Sequence, residues 1–152
     1  MASPDDTKLL IDAMCGGIRT ILRMVGYDTA YTLDRNVESD EAIEAMARAE
    51  DRVLVTRDAS LARSTPGAVL LHSKDSDEQL EELAAAGFDL ALTDPVRCSR
   101  CNGLVEEIDA GESTPPFAPD PADERCWRCL ECGQVYWKGS HWDDVAERLQ
   151  QL

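Results

Sequence analysis

Two pairs of cysteines constrain this chain more than any other feature of its sequence. Cys98 and Cys101 form the first pair, Cys129 and Cys132 form the second, and two residues separate the members of each pair. That spacing lets both thiolates of a pair point at one ion, and the glycine that follows each pair permits a tight turn. Two such pairs complete a tetrahedral Cys₄ site, so we expect one structural zinc ion in a small C-terminal zinc ribbon.

Cys126 leaves a second assignment of the later pair open, because two residues also separate Cys126 from Cys129. Cys132 is followed directly by Gly133, as a zinc knuckle prefers. The pattern therefore favours Cys129 with Cys132 over Cys126 with Cys129. Cys15 lies far from the other cysteines, and we interpret it as a small, semi-buried residue.

The expected cellular compartment also favours a metal site over disulfides. The chain has no run of about 18 or more apolar residues, and its first residues are polar and acidic. We therefore expect no membrane span, no signal peptide and a cytoplasmic protein. Thiols stay reduced in the cytoplasm, where paired cysteines are typical of metal sites.

The charge balance is strongly acidic. Thirty acidic residues, spread along the chain, oppose 15 basic ones and give a net charge of −15, and only three of the basic residues are lysines. This pattern is typical of a halophilic protein, because in about 1 M salt the Debye length falls to roughly 3 Å and long-range repulsion is screened. An acidic protein of an ordinary cytoplasm is the alternative. We therefore do not use the net charge to exclude RNA, although phosphate binding usually needs a basic surface.

Apolar strands alternate with helices over the first 95 residues. The predicted strands cover residues 8–13, 27–32, 52–56 and 68–72. One helix runs from Ile18 to a stop at Gly26, one follows the cap Ser39, a short one includes Leu61, and one covers residues 78–86. Strands and helices that alternate through short loops predict an α/β fold with a mostly parallel sheet.

The composition changes near residue 95, where cysteine, glycine, proline and tryptophan become frequent. We place a domain boundary there, which gives an α/β domain over residues 1–95 and the zinc ribbon over residues 96–152. Residues 110–123 hold four prolines and predict a mobile loop inserted in the ribbon. Ser140 is expected to cap a final helix that runs through Leu152.

Acidic residues follow the predicted strands. Asp12 ends the first strand, Asp58 follows the third, Asp75 follows the fourth, and Asp40 opens a helix. The carboxyl ends of parallel strands lie on one edge of a sheet, so these acids can converge there. Carboxylates that hold Mg²⁺ or Mn²⁺ suit phosphodiester hydrolysis. The structural alternatives are that Asp40 is only a first-turn helix acid and Asp75 only a helix cap.

Residues 136–142 gather three aromatic side chains with Lys138 and His141. Such a group can bind nucleic acid, because bases stack on aromatic rings and phosphates attract cations. The alternative is that Tyr136 and the tryptophans cover the zinc site.

Six blocks of the chain carry a resemblance to a known family: residues 10–14, 17–29, 53–58, 79–80, 97–103 and 136–142. They resemble the Mut-seven C-terminal RNase family over nearly the whole chain. The resemblance implies a PIN-like, three-layer α/β nuclease domain fused to a zinc ribbon. It also supports Cys129 and Cys132 as zinc ligands.

The same resemblance implies an active site, because Asp12, Asp40 and Asp58 correspond to acidic positions of PIN domains. A further helical acid of those domains has no clear counterpart here, which favours one catalytic metal ion over two. The acids that can replace it are Glu38, Glu41 and Asp75.

The resulting hypothesis is a metal-dependent endoribonuclease whose zinc ribbon positions RNA. Asp12 and Asp58 would hold Mg²⁺ or Mn²⁺, and Asp40 would assist or orient the attacking water. The side chains expected to contact RNA are Arg19, Arg23, Arg57, Lys138 and His141. The alternatives are a non-catalytic RNA- or ribosome-binding adaptor and a toxin-like nuclease controlled by a protein partner.

The dispersed acids predict a fold that needs salt. Unscreened repulsion between like charges destabilises a compact state, so the melting temperature is expected to rise as KCl increases to about 1 M. Thermal melts followed by circular dichroism measure this. A flat or falling melting temperature would contradict adaptation to salt and would restore the objection that so acidic a protein avoids RNA.

Overall fold

A four-stranded, fully parallel sheet forms the centre of the N-terminal part of the molecule. The computed structural model describes residues 2–152 of the chain. The strands lie in the order β2-β1-β3-β4. Their bounds are β1 Lys8–Ile11, β2 Asp28–Tyr31, β3 Arg52–Thr56 and β4 Val69–Leu70. The predicted α/β fold with a parallel sheet is therefore confirmed.

Helices cover both faces of this sheet. They are α1 Arg19–Val25, α2 Asp40–Ala49, α3 Ala59–Ser64 and α4 Ser76–Ala85, and a short 3₁₀ segment at Ala13–Ile18 precedes α1. Gly26 ends α1 in a left-handed conformation, as the sequence predicts. The side chain of Ser39 accepts a hydrogen bond from the Ala42 amide and caps α2, also as predicted.

The alternation of side chains along β1 divides the core into two clusters. Leu9 and Ile11 point into a cluster with α1 and α4, whereas Leu10 points into a cluster with α2 and α3. All three side chains are buried, as expected when helices cover both faces of a parallel sheet. The domain therefore has the three layers that the sequence analysis predicts.

A second, antiparallel sheet forms the zinc ribbon. Its strands are β5 Val105–Glu107, β6 Cys126–Cys129 and β7 Val135–Trp137, in the order β5-β6-β7. The proline-rich residues 110–123 lie in the connection between β5 and β6. Phe117 and Ala118 of this loop contact the ribbon next to Trp137.

The last helix, α5 Ser140–Gln150, lies against the α/β domain rather than only against the ribbon. Val145 is buried in the larger core cluster, and Trp142 and Leu149 pack against it. Arg148 also pairs with Asp77 of α4. Residues 96–152 therefore share part of their core with residues 1–95.

Most predicted elements have slightly different boundaries in the structure, and for three of them the local cause is visible. β4 is shorter than predicted because only Val69 and Leu70 pair with β3. α4 begins two residues earlier than predicted because the Asp75 carboxylate accepts a hydrogen bond from the Glu78 amide and caps it. The prediction that Ser140 caps α5 is wrong: Gly139 occupies that position, and Ser140 is the first helical residue.

The first zinc knuckle, residues 98–103, covers the outer strand of the parallel sheet. β2 is an edge strand, and the Thr29 amide donates a hydrogen bond of 2.8 Å to the Asn102 side-chain oxygen. The Asn102 side-chain nitrogen donates to Asp28, which also accepts from Arg52. Burial alone would raise the pKa of Asp28, but these two hydrogen bonds outweigh it and lower the pKa. The ribbon thus satisfies backbone groups that an open edge would leave unpaired.

Arg23 reinforces the same junction and is not available to RNA. Only 3% of its surface is exposed. Its guanidinium donates to the carbonyl oxygens of Thr29 and Ser99 at 3.0 and 3.2 Å. The prediction that Arg23 meets a phosphate is therefore corrected: α1 turns this side chain inward, towards the knuckle.

No helix within residues 2–152 has both the length and the apolar character needed to cross a membrane.

The junction between knuckle and sheet is tested by replacing Asn102 with glycine. Asn102→Gly keeps the left-handed backbone found there, φ +71°, but removes both side-chain hydrogen bonds. The buried Thr29 amide loses its partner, so the free energy of unfolding should fall by about 2 kcal/mol. Chemical denaturation in the presence of zinc measures the loss.

The control for this variant is Asn36→Gly, at an exposed residue with φ +54°. An equal loss of stability in both variants would show that the backbone conformation, rather than the junction, accounts for the effect.

Candidate functional site

The four predicted cysteines come together at one point of the ribbon. The sulfur atoms of Cys98, Cys101, Cys129 and Cys132 all lie within 4.8 Å of one another. The Cys98–Cys132 and Cys101–Cys129 sulfur distances are 3.7 and 3.5 Å. Tetrahedral zinc with Zn–S bonds of about 2.3 Å requires sulfur–sulfur distances of about 3.8 Å. The arrangement therefore fits one zinc ion.

Backbone amides of the knuckles donate to these sulfur atoms. Glu131 and Cys132 donate to the Cys129 sulfur, and Gly103 donates to the Cys101 sulfur, each at 3.4 Å. Burial raises the pKa of Cys129, but the two amides outweigh it and lower the pKa to about 7. Cys129 therefore favours the thiolate form that binds metal, whereas burial raises the pKa of Cys101 to about 12.

The two knuckles use glycine for different reasons. Gly133 adopts φ +80°, as predicted for a tight turn. In the first knuckle Asn102 takes the left-handed conformation instead of Gly103. Gly103 is needed for space, because a Cβ atom there would lie 3.1 Å from the Cys129 sulfur.

Cys126 lies outside the cysteine cluster. Its sulfur faces the carbonyl oxygens of Pro119 and Glu124, and its side chain is buried in the small ribbon core with Ile108 and Val135. Cys132 occupies the position next to Cys98 instead. The geometry thus matches the favoured assignment of the later pair.

Tyr136 covers one side of the cysteine cluster, as the structural alternative for the aromatic residues predicts. Its hydroxyl lies 2.9 Å from the Cys98 sulfur and 3.3 Å from the Ser99 hydroxyl. A phenol that donates to a sulfur atom stabilises negative charge on that sulfur. Tyr136 therefore belongs to the surroundings of the metal site.

Asp12 occupies the carboxyl edge of the parallel sheet. It follows β1, and only 7% of its surface is exposed. One carboxylate oxygen accepts from the Ala13 amide at 2.8 Å, and the other accepts from the Thr56 hydroxyl at 2.7 Å. Asp12 is therefore a fixed, nearly buried carboxylate at the position where ligands bind to parallel sheets.

Asp58 lies at the end of the neighbouring strand, and Thr56 joins it to Asp12. The Asp58 amide donates to the Thr56 hydroxyl at 3.0 Å. One oxygen of the Asp58 side chain accepts from the amides of Ser60 and Leu61 and caps α3. The expectation that both acids lie on the same edge is met, and the cap leaves one Asp58 oxygen available.

Asp40 and Asp75 sit at helix starts. Asp40 is exposed in the first turn of α2, and Asp75 caps α4, which packs against the 3₁₀ segment after Asp12. Within residues 2–152, the cysteines form the only group of three or more candidate ligands brought close together. The structure thus does not gather three carboxylates at this edge.

Polar groups without partners flank Asp12. Within the described part of the chain, the Arg57 Nε and the Thr32 hydroxyl are buried and have no hydrogen-bond partner. Arg57 follows β3 and Thr32 follows β2, so the two lie on either side of the β1 end. Buried donors without partners are costly, so this edge is suited to a ligand that supplies acceptors.

Two further residues line the same edge. The Arg19 guanidinium lies 4.5 Å from the centre of the Tyr31 ring and donates to the Gly16 carbonyl. Cys15 is buried, and burial first and the Asp12 charge second raise its pKa to about 11. Cys15 therefore remains a thiol at neutral pH and acts as a packing residue, as expected.

The basic residues of the ribbon differ in availability. The Lys138 amine pairs with Asp94 at 2.6 Å and lies 5.6 Å from the Trp142 ring centre. His141 is exposed at the start of α5. His141 can therefore meet a ligand directly, whereas Lys138 must first give up an ion pair.

The sequence analysis missed Thr32, Tyr31 and Phe117 as residues near the candidate sites. Thr32 carries a signal that could have identified it, because it lies at the end of a predicted strand, as Asp12 does. Phe117 carries none, since its position depends on how the proline-rich loop folds back onto the ribbon.

A comparison with protein families identifies one match. The family model described as Mut7-C RNAse domain matches residues 7–149, which is nearly the whole chain. No curated protein and no solved structure matches the chain.

The cysteine geometry predicts which substitution removes zinc. Cys132→Ser should lower the zinc content well below one ion per chain and unfold the ribbon, because a ribbon with so small a core depends on its metal. Cys126→Ser should keep full zinc content. Metal analysis of both purified variants measures this, and loss of zinc only from Cys126→Ser would overturn the assignment.

Proposed function

The chain belongs to the Mut7-C RNAse domain family, and we propose that it is an endoribonuclease that hydrolyses RNA with Mg²⁺ or Mn²⁺. One observation carries the proposal: Asp12, a fixed carboxylate, lies at the carboxyl edge of the parallel sheet between buried polar groups that lack partners. A metal ion would satisfy the carboxylate, and a phosphate group would satisfy the polar groups without partners.

Asp12 and Asp58 are the proposed protein ligands of the catalytic metal. Thr56 fixes Asp12, and α3 fixes Asp58, so each carboxylate keeps acceptor capacity while its position is set. Mg²⁺ commonly binds through one or two carboxylates and completes its shell with water and substrate phosphate. This donor set fits a single ion better than two. The chemistry supplied by such an ion is activation of water and stabilisation of the leaving oxygen.

Arg57 and Arg19 are the proposed phosphate-binding residues. The Arg57 Nε has no partner among the described residues, so a phosphate oxygen would satisfy it. Arg19 makes one hydrogen bond to a backbone carbonyl and keeps its other N–H groups available. Asp40 and Asp75 lie at helix starts nearer the surface, where they would orient water rather than hold the ion.

The zinc ribbon is proposed to position RNA beside the carboxyl edge of the sheet, where Asp12 lies. Asn102 and Arg23 attach the first knuckle to β2, which gives the ribbon a fixed place relative to the sheet. His141 and Lys138 would meet RNA phosphates, with Lys138 exchanging its contact to Asp94. Structural zinc would thus act on catalysis indirectly, through the position of the ribbon.

A non-catalytic RNA-binding adaptor is the second candidate function. It is favoured by one observation: within residues 2–152 no third carboxylate joins Asp12 and Asp58. The two functions share the RNA-binding residues and differ in whether RNA is cut.

Asp12→Asn distinguishes these functions. The amide keeps the shape of the side chain: its oxygen can accept from the Ala13 amide and its nitrogen can donate to the Thr56 hydroxyl. The substitution removes the charge that would hold the metal. Cleavage of labelled RNA with Mn²⁺ or Mg²⁺ in high salt should fall by about 100-fold or more, while zinc content and melting temperature stay unchanged. Gel analysis of the RNA, with a chelator as blank, measures the rate.

The control is Asp5→Asn, at an exposed acid before β1, which should cleave like wild type. Equal cleavage by wild type and Asp12→Asn would show that the activity uses other residues or comes from a contaminant. No cleavage by wild type with either metal would favour the adaptor.

A further inference from the structure

A cavity with aromatic walls lies between the ribbon, α1 and the start of α5. Its volume is about 290 Å³. Phe117, Trp137 and Trp142 contribute rings to its lining, and Met24 of α1 contributes from the α/β domain. Small-ligand pockets span about 300–1,000 Å³, so this cavity suits one small planar group rather than a large ligand.

The aromatic wall is held in place although part of it faces water. Phe117 is 65% exposed, and its ring centre lies 6.4 Å from that of Trp137. Trp137 itself lies tightly against Gly139, where an added Cβ atom would come within 2.7 Å of the indole nitrogen. An exposed ring positioned in this way offers a face for stacking.

The charge of the lining differs from that of the rest of the molecule. Thirty of the 152 residues are acidic, yet none of the 13 residues that line the cavity is. Its titratable side chains are Arg97, His141 and Tyr136, and Ser99, Ser140 and Gln134 add hydrogen-bonding groups. Arg97 already pairs with Asp28 at 3.7 Å and donates to the Asn102 carbonyl, so the exposed His141 is the group more available to an anion. The cavity therefore suits a ligand that joins a flat apolar group to an anion.

We propose that this cavity receives one unpaired base of single-stranded RNA. The aromatic rings would stack on the base, and His141 would lie near its phosphate, joined by Arg97 if that side chain exchanges its contact to Asp28. Bases inside a duplex are already stacked and paired, so they cannot enter. This inference rests on the proposed function, and it identifies the substrate class as single-stranded RNA.

Helix α1 joins the cavity to the proposed catalytic edge. Met24 lines the cavity, and Arg19 at the other end of the helix lies beside the edge. Five residues of helix span about 7.5 Å along its axis. A single strand whose base occupies the cavity could therefore place a neighbouring phosphate near Arg19.

The test measures binding without cleavage. Asp12→Asn protein is titrated, with a chelator of catalytic metals too weak to remove zinc, into a short fluorescent RNA of mixed sequence and into its blunt duplex. Fluorescence anisotropy gives the dissociation constants. We expect the single strand to bind about tenfold or more tightly than the duplex.

Phe117→Ala in the same background removes a stacking surface from an exposed position, so the fold should be retained. It should weaken binding of the single strand by about tenfold, and by the same factor at low and high salt, because stacking releases no counterions. Gly139→Ala, which displaces Trp137, should have a similar effect. The matched control is Leu130→Ala, which removes an exposed apolar side chain of the ribbon outside the cavity and should leave binding unchanged.

Equal affinity of Phe117→Ala, Gly139→Ala and Leu130→Ala for the single strand would overturn the proposal. Equal affinity for the single strand and the duplex would also overturn it. A dimer seen by sedimentation that Phe117→Ala dissociates would do the same, because the cavity would then be occupied by a second copy of the chain. These outcomes are separate from the nuclease test: if Asp12→Asn abolishes cleavage but the cavity variants bind normally, the nuclease stands and the base pocket falls.

Discussion

The convergence of four cysteine sulfur atoms on one point, where they fit a zinc ion, is the constraint on which the C-terminal third of the molecule depends. The hydrophobic cluster of the ribbon has three buried members, Ile108, Cys126 and Val135, which is too little apolar surface to hold three short strands together. A bound zinc ion would supply the missing free energy, because it would fix the two knuckles against each other. The first knuckle in turn places Asn102 against β2, so the geometry of the metal site also fixes what covers the outer strand of the parallel sheet.

The chemistry proposed for the α/β domain follows from a second constraint, the parallel pairing of β1 and β3. That pairing brings the residues after Ile11 and Val55 side by side, which places Asp12 next to Thr56. A carboxylate in such a place is costly unless its oxygens find partners. Two hydrogen-bond donors of the chain, the Ala13 amide and the Thr56 hydroxyl, satisfy the Asp12 carboxylate in part. A divalent ion would balance its remaining charge. The same reasoning explains why the edge suits one ion: each carboxylate already serves a structural role.

Much of this arrangement could be predicted from the sequence, because it depends on short-range patterns. Apolar runs predicted the strands, and the acids at their ends predicted carboxylates at the carboxyl end of the sheet. The spacing of the cysteines predicted that four of them come together. The inward turn of Arg23, the left-handed Asn102 and the packing of Val145 on the first domain could not be predicted. Each depends on which surfaces meet after folding, and neighbouring residues carry no information about that. Phe117 is similar, since only the folded loop brings it to Trp137. The roles of Asp12, Asp40, Asp58 and Asp75 in catalysis stay predictions.

A crystal structure of the zinc-loaded protein with Mn²⁺ and an uncleavable RNA analogue tests the central claim most directly. Anomalous scattering recorded at the zinc and manganese absorption edges separates the two metals. The account predicts zinc among Cys98, Cys101, Cys129 and Cys132, and manganese bonded to a carboxylate oxygen of Asp12 with an RNA phosphate in its coordination shell. RNA bound at the edge with no manganese at Asp12, or manganese bound only elsewhere, would contradict it.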